Sequence, residues 1–487
     1  MNSQKRTLIA AGAVLVLLAA VMAVLLLTQP EETPVEVIES PEVKTRLLYD
    51  ISPQKLNTLT IKNETGELVL ERVDTSDTEY FFAAPQFADL PQSIAMMRVI
   101  ADAASSLTAE EIITENAADL SVYGLSSPKA EFTANFSDSN NTVKHLLIGN
   151  ETPAADAYYA AFAGESTVYT IKNTSVGYFS DNINQVIDRV IYKNPLTPEE
   201  MAAAPAGDNE LTRISKMTIS RHNLPYTIEI DFRPISIEPE GAQAGEPNYG
   251  LVSPIKMDVD DEKGQPLMSA IFGFTATDVE MLYPTAEDLD KYGLSDPFTS
   301  VTMILYDGPI TLKIGETYGD GRYCLVDGVD VVWKIANDKL PWATVLPLGV
   351  ANGVIFRSHL FGLNSIDITG SGIDDKIAVV GTNDEDLTVT LNGKPADAAK
   401  FKQLYNYIIL VPAGDVYIEP VEAEPNLSIV MKGAKLNESA DFYDIGNRRY
   451  AVAINGEIQY SCTAAYYDLL VENIKAFETN GEINLKW

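Results

Sequence analysis

The decapeptide Asp119-Leu-Ser-Val-Tyr-Gly-Leu-Ser-Ser-Pro128 recurs later in the chain as Asp288-Leu-Asp-Lys-Tyr-Gly-Leu-Ser-Asp-Pro297, with seven of ten positions identical. Each copy is followed by a strand pattern that ends in Leu147-Ile-Gly149 or Lys313-Ile-Gly315. Self-similarity of this kind indicates a repeated supersecondary unit. The sequence therefore predicts divergent copies of one module along the chain.

Paired aromatic residues follow each Ile-Gly element, ten positions apart and with a glycine turn between them. A third and more divergent copy contains Asp444-Ile-Gly446 and lacks the decapeptide. This spacing predicts that the two aromatics of a pair lie on adjacent strands of one hairpin. The pairs are Tyr159 with Tyr169, Tyr323 with Trp333, and Tyr450 with Tyr460, and the turn glycines are Gly164, Gly328 and Gly456.

The Tyr-Gly-Leu-Ser-x-Pro element within the decapeptide is predicted to be a structural joint. Its glycine can adopt positive φ where a helical turn ends, its leucine can fill the core, and its proline forces an extended exit into the next strand. A binding role for the two tyrosines is the alternative. The residues of the predicted repeat joint are Tyr123, Gly124, Leu125, Pro128, Tyr292, Gly293, Leu294 and Pro297.

Two segments before the first joint have clear local patterns. Apolar residues on either side of Asn63-Glu-Thr-Gly66 predict a β-hairpin with that turn. Between residues 91 and 107, apolar side chains recur every three or four positions, which predicts a helix with one apolar face that covers the neighbouring sheet. Each unit is therefore expected to contain an opening hairpin, a helix or long insert, and a closing meander.

The N-terminal region predicts a single membrane-spanning helix. Residues 8–27 carry no polar side chain, and a run of roughly 20 such residues crosses the hydrocarbon core of a bilayer. Lys5 and Arg6 precede this stretch and Glu31 and Glu32 follow it, so the positive-inside rule places the short N-terminus in the cytoplasm and the bulk of the chain outside the cell membrane. A cleaved signal peptide is the alternative, although its apolar region is usually shorter, roughly 7–15 residues.

The predicted fold class is α+β, with an N-terminal transmembrane helix followed by three divergent β-rich units, each with a mostly antiparallel sheet and a covering helix. An acidic, proline-rich segment between the helix and the first unit is expected to be an extended tether. The predicted boundaries are 1–28 for the cytoplasmic stub and membrane helix, 29–45 for the tether, 46–195, 196–360 and 361–478 for the three units, and 479–487 for a C-terminal tail.

The acidic composition argues against a nucleic-acid partner. The formal net charge is −34, from 69 acidic and 35 basic residues spread along 487 positions, so a nucleic acid would be repelled. Only Cys324 and Cys462 are present, and they fall in different predicted units, so a disulfide is conceivable but is not predicted. The composition is that of a globular protein with a buried core.

No combination of residues marks a catalytic or metal site, and no cofactor is expected. His145, His222 and His359 are isolated, with no histidine or cysteine at metal-ligand spacing. The acidic runs at residues 258–264 and 384–386 could bind calcium, but solvated loops are the simpler interpretation. The sequence therefore predicts a protein that is not an enzyme.

The decapeptide, the Ile-Gly strand end and the paired aromatic strands together resemble the bacterial domain-of-unknown-function family 4340. The resemblance extends from about Leu47 to Phe477 and rests on the joints at residues 119–128 and 288–297. It implies an N-terminal membrane helix followed by repeats. It also implies that the protein accompanies ATP-driven transporter components related to the gliding-motility type, with no catalytic residues established for the family.

Three functional hypotheses follow, of which a hydrolase with an unrecognised site ranks last. The first is a non-enzymatic, membrane-anchored extracytoplasmic accessory or scaffold protein, which works with an ABC-type transport or cell-envelope complex and docks protein partners through sheet edges. The second is an extracytoplasmic binding module for a peptide, glycan or lipid, which would use the paired aromatics and Tyr158. Burial of the aromatic pairs would argue against the second hypothesis.

Overall fold

The computed structural model describes residues 45–76, 79–203, 209–232, 249–356, 358–433 and 437–486. The predicted membrane helix at residues 8–27, and the predicted tether up to residue 44, lie outside these ranges. Within the ranges, no helix combines the length and the apolar character that crossing a membrane requires.

The strands of residues 46–192 are β1 (Arg46–Asp50), β2 (Leu56–Asn63), β3 (Gly66–Asp74), β4 (Tyr80–Ala83), β5 (Ser106–Ala109), β6 (Glu111–Thr114), β7 (Ala130–Phe136), β8 (Val143–Glu151), β9 (Ala157–Phe162), β10 (Val168–Lys172) and β11 (Val190–Tyr192). Those of residues 216–336 are β12 (Lys216–Arg221), β13 (Ile228–Phe232), β14 (Tyr249–Ser253), β15 (Met257–Asp258), β16 (Phe274–Thr275), β17 (Asp278–Leu282), β18 (Thr299–Leu305), β19 (Gly308–Tyr318), β20 (Gly321–Val326) and β21 (Val331–Ala336). Those of residues 363–463 are β22 (Leu363–Gly370), β23 (Ile373–Val380), β24 (Thr388–Leu391), β25 (Lys394–Ala396), β26 (Asp415–Val416), β27 (Leu427–Gly433), β28 (Asn437–Asp444), β29 (Arg449–Ile454) and β30 (Glu457–Thr463). The α-helices are α1 (Ile94–Ser105), α2 (Asn173–Ser180), α3 (Pro198–Ala203), α4 (Asp261–Ser269), α5 (Ala286–Lys291), α6 (Pro347–Val350), α7 (Ala398–Ile409) and α8 (Ala464–Glu478).

The chain divides into two compact units. The first comprises the described residues up to Lys55 together with Ala103–Ser180. In it, β1 pairs with β5, and an antiparallel sheet runs in the order β7-β8-β9-β10-β6. Helix α2 packs onto this sheet and places Phe179 against Phe132, with ring centroids 4.3 Å apart.

The second unit comprises Leu56–Asp102 and the described residues from Asp181 onward. Strands β2, β3 and β4 form an antiparallel meander, and β11 pairs with β16. Two nine-stranded sheets follow, in the orders β15-β14-β13-β12-β18-β19-β20-β21-β17 and β25-β24-β23-β22-β27-β28-β29-β30-β26. The two orders are the same, strand for strand, which is the structural counterpart of the sequence repeat.

One topological feature is common to the first unit and both nine-stranded sheets. A short strand, β6, β17 or β26, precedes a four-stranded meander and pairs with the last strand of that meander. The mostly antiparallel α+β class that the sequence predicts is thereby confirmed. The boundaries of the three units remain predictions.

Alternating burial explains why these segments form strands. Along β7, the side chains of Ala130, Phe132, Ala134 and Phe136 are buried and the residues between them are not. Strands β18 and β27 show the same alternation. A strand with one buried face has this period of two, and burying a phenylalanine stabilises the fold by about 1.5–3 kcal/mol.

The predicted hairpin forms, and the predicted helix is shorter than expected. Asn63 pairs with Gly66 at the β2–β3 turn. Helix α1 starts after Ser93, whose hydroxyl accepts the N–H of Met96, and it ends before Leu107, which belongs to β5. The prediction that the apolar periodicity extends to Leu107 was therefore wrong, because a buried position of a strand continued the helical spacing by coincidence.

The acidic run at residues 258–264 is not a loop. Asp260 is the N-cap of α4, and its side chain accepts the N–H of Lys263 at 3.0 Å. Such a cap stabilises a helix by about 1 kcal/mol. The run at residues 384–386 does lie in a loop, where Asp386 accepts two backbone N–H groups, from Thr382 and Asn383.

Candidate functional site

The repeat joints connect the edge strand of a sheet to the first strand of its meander. In the first unit, β6 ends at Thr114 and β7 begins at Ala130, on opposite sides of a four-stranded meander. Neighbouring strands are about 4.8 Å apart, so the connection has to cross one end of the sheet. Pro128 and Pro297 each stand two residues before the strand that they lead into.

The first joint is a 3-10 turn closed by an aspartate and a glycine. The Asp119 carboxylate accepts the N–H of Ser121 at 2.8 Å, and hydrogen bonds from the Ser121 hydroxyl and backbone hold the pKa of Asp119 below its usual value. Gly124 ends the turn with φ of +73°. Leu125 then donates its N–H to Leu120 O at 3.0 Å and is buried.

The second joint reaches the same geometry from a longer helix. Thr285 and Asp288 form a capping box at the start of α5, and the hydrogen bonds from Thr285 lower the pKa of Asp288. Gly293 has φ of +66°, and Leu294 donates to Leu289 O at 2.8 Å. The aspartate of this joint is therefore the third helical residue, whereas the equivalent aspartate of the first joint is itself the N-cap.

The glycine of each Ile-Gly element lies directly beneath the joint. A Cβ atom on Gly149 would stand 2.1 Å from Tyr123 O, and one on Gly315 would stand 2.2 Å from Tyr292 O. The strands that contain these glycines, β8 and β19, each have a β-bulge at this point. In β19 the bulge leaves the N–H of Glu316 without a strand partner, and this N–H donates to Tyr292 O at 2.8 Å. Only glycine allows the joint backbone to approach the bulge this closely.

The repeat pattern predicted that Gly446 is equivalent to Gly149 and Gly315, but Gly446 has a different role. It lies between β28 and β29 with φ of +76°, and a Cβ there would meet nothing within 4 Å. The third sheet, which is the nine-stranded sheet of β22–β30, has a segment without helix or strand at residues 417–426 where the joint would be, so no joint backbone covers this glycine. The alignment at Asp444-Ile-Gly446 therefore matched a turn glycine with a close-approach glycine.

Each joint tyrosine packs against the first aromatic of the following hairpin. In the third sheet, which has no joint, a tyrosine of α8 takes the place of the joint tyrosine. The ring pairs are Tyr123 with Tyr159 at 5.1 Å, Tyr292 with Tyr323 at 4.6 Å, and Tyr467 with Tyr450 at 3.7 Å between centroids. Such pairs add about 0.5–1.5 kcal/mol beyond the area that they bury.

The second aromatic of each hairpin belongs to the core. Tyr169, Trp333 and Tyr460 are 7%, 2% and 0% exposed. In the first two hairpins the register places the two aromatics on opposite faces of the sheet, because Tyr159 stands opposite Thr170 and not Tyr169. Within the described residues, the six predicted aromatics therefore do not form one solvated groove.

A cation–π contact lies beside each joint at two equivalent positions, but the cation and the aromatic ring have changed places between the two copies. In the first unit, the Lys129 ammonium lies 5.9 Å from the centroid of the Tyr158 ring. Beside the second joint, the guanidinium of Arg322 lies 4.3 Å from the centroid of the Phe298 ring. Phe298 occupies the position of Lys129, one residue after the joint proline, and Arg322 occupies that of Tyr158, one residue before the hairpin tyrosine.

A cleft of about 470 Å³ opens beside the second joint. We call it the joint cleft; its polar side chains include His222, Asp296, Glu316 and Arg322. His222 Nδ1 is 3.6 Å from Asp296 Oδ2, and both side chains are largely exposed. Arg322 is already engaged, because it donates to Gly315 O at 2.8 Å as well as covering Phe298. Serine, cysteine and lysine are absent from the described residues that line this cleft, so it offers no activated nucleophile of those types.

Sequence reasoning singled out the joints and missed the neighbouring Arg322 and Phe298. The signal was present in the repeat itself. Aligning the copies beyond the proline pairs Lys129 with Phe298 and Tyr158 with Arg322, a charge-for-aromatic exchange at both positions. A coupled exchange of this kind indicates contact between the two positions.

The other polar candidates have structural partners. His145 Nε2 lies 3.0 Å from Glu131 Oε2. Cys324 and Cys462 are both buried and both carry free thiols, and burial raises the pKa of each. In the part of the chain that the structure describes, no group of three or more His, Cys, Asp or Glu side chains is arranged to hold a metal ion.

A family model described as "Domain of unknown function (DUF4340)" matches residues 95–216. This match spans the first joint, the meander after it and its paired aromatics, and it supports that family for this segment. No curated protein and no solved structure matches the chain.

Proposed function

We propose that the chain is a non-enzymatic accessory or scaffold protein, held at the cell membrane by the predicted helix at residues 8–27, with its repeated sheets outside the cell membrane. Its partners are protein subunits of an ABC-type transport or cell-envelope complex. The partner class follows from the family resemblance, and the mode of docking follows from the sheet edges.

The observation that carries the proposal is the exposed edge strand β6. It stands at the end of its sheet, paired to β10 on one side. Its residue Ile113 is 38% exposed, whereas Ile148 and Ile171 of the same unit are buried. An unpaired edge offers a row of backbone donors and acceptors to which a partner strand can add, and an exposed β-branched side chain supplies a local apolar contact.

Divergence at the joints favours a scaffold over an enzyme. The joint cleft has Asp296, Glu316 and Arg322 at positions where the first unit has a serine, an asparagine and a tyrosine. The tyrosine, glycine, leucine and proline positions of the joints, by contrast, are the same in both copies. Shared packing with unshared polar chemistry fits a module that was multiplied to enlarge a surface.

Site-specific photo-crosslinking in intact cells tests the proposal. A photoreactive amino acid is placed in the full chain at Ile113, and the matched control places it at Val122, which is 69% exposed and lies in the 3-10 turn of the first joint and not in an edge strand. Crosslinked partners are identified by mass spectrometry. We expect a transporter or envelope subunit to be captured at Ile113 and not at Val122.

Two outcomes would contradict the proposal. One is the capture of no transporter or envelope subunit at Ile113. The other is equal capture at Ile113 and Val122, because that would show proximity without docking at the edge.

A further inference from the structure

A second cleft, distinct from the joint cleft, lies in the first unit and has a volume of about 400 Å³. We call it the N-terminal cleft, because it begins at the first described strand. Strand β1, the start of β8 and the β9–β10 hairpin supply its walls. Its lining includes Arg46, Lys144, His145, Phe162 and Tyr169.

Lys144 is one of the two permanent cations that line the N-terminal cleft. Its ammonium lies 5.2 Å from the centroid of the Tyr49 ring and 5.4 Å from that of Phe162. Among the described residues, no carboxylate forms an ion pair with it. The Tyr49 hydroxyl does not serve as a counter-ion, because it donates to Ala104 O and burial raises its pKa. The half-buried Lys144 ammonium, which lies near two aromatic rings, is therefore available to bind an external anion.

The other charged groups give the cleft a net positive lining. Arg46 is exposed, and within the described residues it too has no carboxylate partner. The one carboxylate among the lining residues is Glu165, while the imidazole of His145 is shared with Glu131 outside the cleft. Two permanent cations therefore face one carboxylate, on a protein whose net charge is −34. Arginine and lysine together are a common pair for binding phosphate oxygens.

Exposed aliphatic side chains stand beside these cations. Leu47, next to Arg46, is 59% exposed, and Val143, next to Lys144, is 57% exposed. Both line the cleft. Cations flanked by exposed aliphatic groups fit a ligand with a charged head and an apolar tail better than they fit a free inorganic ion.

We propose that the N-terminal cleft binds the anionic phosphate head of a membrane phospholipid, with Arg46 and Lys144 on the phosphate and Leu47 and Val143 against the apolar part of the lipid. The position along the chain agrees with this ligand. Eighteen residues, 28–45, separate the predicted membrane helix from Arg46, and a chain of that length spans at most about 60 Å. The cleft therefore lies within reach of the bilayer surface. This inference rests on the membrane anchor of the proposed function, but it goes beyond the docking of protein partners and uses none of the strand-edge residues.

The test measures the protection of one lysine by a soluble lipid. The full chain, in an uncharged detergent, is treated with an amine-acetylating reagent, and the rate at each lysine is read by mass spectrometry. Short-chain phosphatidylglycerol is the probe, short-chain phosphatidylcholine has the same tails without net charge, and inorganic phosphate has the charge without tails. Lys129 is the matched control lysine, because it also lies over an aromatic ring of the first unit but lines neither cleft.

We expect phosphatidylglycerol at ten times its Kd to slow the acetylation of Lys144 about ten-fold, because about nine-tenths of the sites are then occupied. The rate at Lys129 should not change. The Arg46→Gln variant should lose most of the protection, while Lys129→Gln, as the matched variant, should keep it.

Three results would overturn the proposal. The first is an unchanged Lys144 rate with phosphatidylglycerol. The second is equal slowing at Lys129, which would indicate a general effect of the lipid on the micelle. The third is equal protection by one of the two comparison ligands. Equal protection by inorganic phosphate would show that the apolar tail contributes nothing, and equal protection by phosphatidylcholine would show that the net charge contributes nothing. Circular dichroism of each variant establishes that it is folded.

Discussion

The carbonyl oxygen of Tyr292 accepts the backbone N–H of Glu316 at 2.8 Å, and it would stand 2.2 Å from a Cβ atom on Gly315. This carbonyl oxygen belongs to the second joint, and its hydrogen bond holds the joint against the bulge of β19. It explains why the Ile-Gly element and the joint occur together in the sequence, since each requires the other.

Gly315→Ala should destabilise the second unit by about 2–3 kcal/mol, because the added methyl group overlaps backbone atoms that cannot move aside. Gly349→Ala is the matched control, since a Cβ there meets nothing within 4 Å and its φ is not positive. It should change stability by less than about 0.5 kcal/mol. Gly446→Ala should cost about 1–2 kcal/mol, from its positive φ alone. Urea unfolding monitored by circular dichroism gives all three values, and equal losses for Gly315→Ala and Gly349→Ala would refute the close-approach role.

The exchanged cation–π pair can be rebuilt beside the second joint. Phe298→Lys and Arg322→Tyr should each lower the unfolding midpoint, because each removes the cation–π contact. The first variant leaves two cations side by side, and the second leaves two rings without a cation. The double variant recreates the arrangement of Lys129 with Tyr158 and should recover about 0.5–1 kcal/mol relative to additive losses. Full recovery is not expected, because Arg322 also donates to Gly315 O. A double-mutant cycle with additive losses would show that the two positions are not coupled.

The carboxyl group of Glu478 should make the stability of the second unit depend on pH. Burial, followed by a hydrogen bond and charge repulsion from Asp375, raises the pKa of Glu478 above its ordinary value. A carboxyl group with a raised pKa in the folded state stabilises the fold when it is protonated, and this contribution is lost as the pH rises through the folded-state pKa. Stability should therefore fall as the pH rises above the ordinary titration range of a glutamate.

Glu478→Gln tests this dependence because the amide keeps a donor toward Asp375 and carries no charge. We expect a higher thermal midpoint at neutral pH and a flatter pH profile than in the unmodified chain. Glu472→Gln, an exposed position on the same helix α8, is the matched control and should leave the profile unchanged. Identical pH profiles for Glu478→Gln and the unmodified chain would contradict the prediction.

The two cysteines should be inert in the folded protein. Both thiols are buried and free, and burial raises the pKa of Cys462 to about 12. Since the thiolate is the reactive form, a disulfide-exchange reagent at pH 8 should label neither cysteine until denaturant is added, after which both should react. Labelling of one thiol per chain under native conditions would show that one of these sites is exposed.

Much of the fold could be predicted from the sequence because its signals are local. The alternation of apolar residues indicates strands, and the Asn63-Glu-Thr-Gly66 turn indicates a hairpin. The Tyr-Gly-Leu-Ser-x-Pro element places a glycine where a helical turn must end, and Gly124 and Gly293 have the positive φ that this requires. Each of these features depends on residues within one short segment.

The partners of individual side chains could not be predicted in this way. Tyr159 and Tyr169 share a hairpin, but the ten-residue spacing does not reveal that they face opposite sides of the sheet, because the register depends on the turn between them. The packing of Tyr123 on Tyr159, and the presence of Arg46 and Lys144 in the lining of one cleft, bring together residues that are far apart in sequence. Such contacts are set by the order of strands in the sheet.

The most direct test of the scaffold proposal is affinity purification of the tagged full chain from gently solubilised native membranes, comparing the unmodified chain with Ile113→Lys and Val122→Lys. A lysine on an edge strand blocks the addition of another strand, whereas the same charge on the turn of the first joint does not. We expect transporter or envelope subunits to be recovered with the unmodified chain and with Val122→Lys, and to be lost with Ile113→Lys. Recovery of the unmodified chain without any such subunit, or equal recovery of subunits with all three chains, would contradict the account.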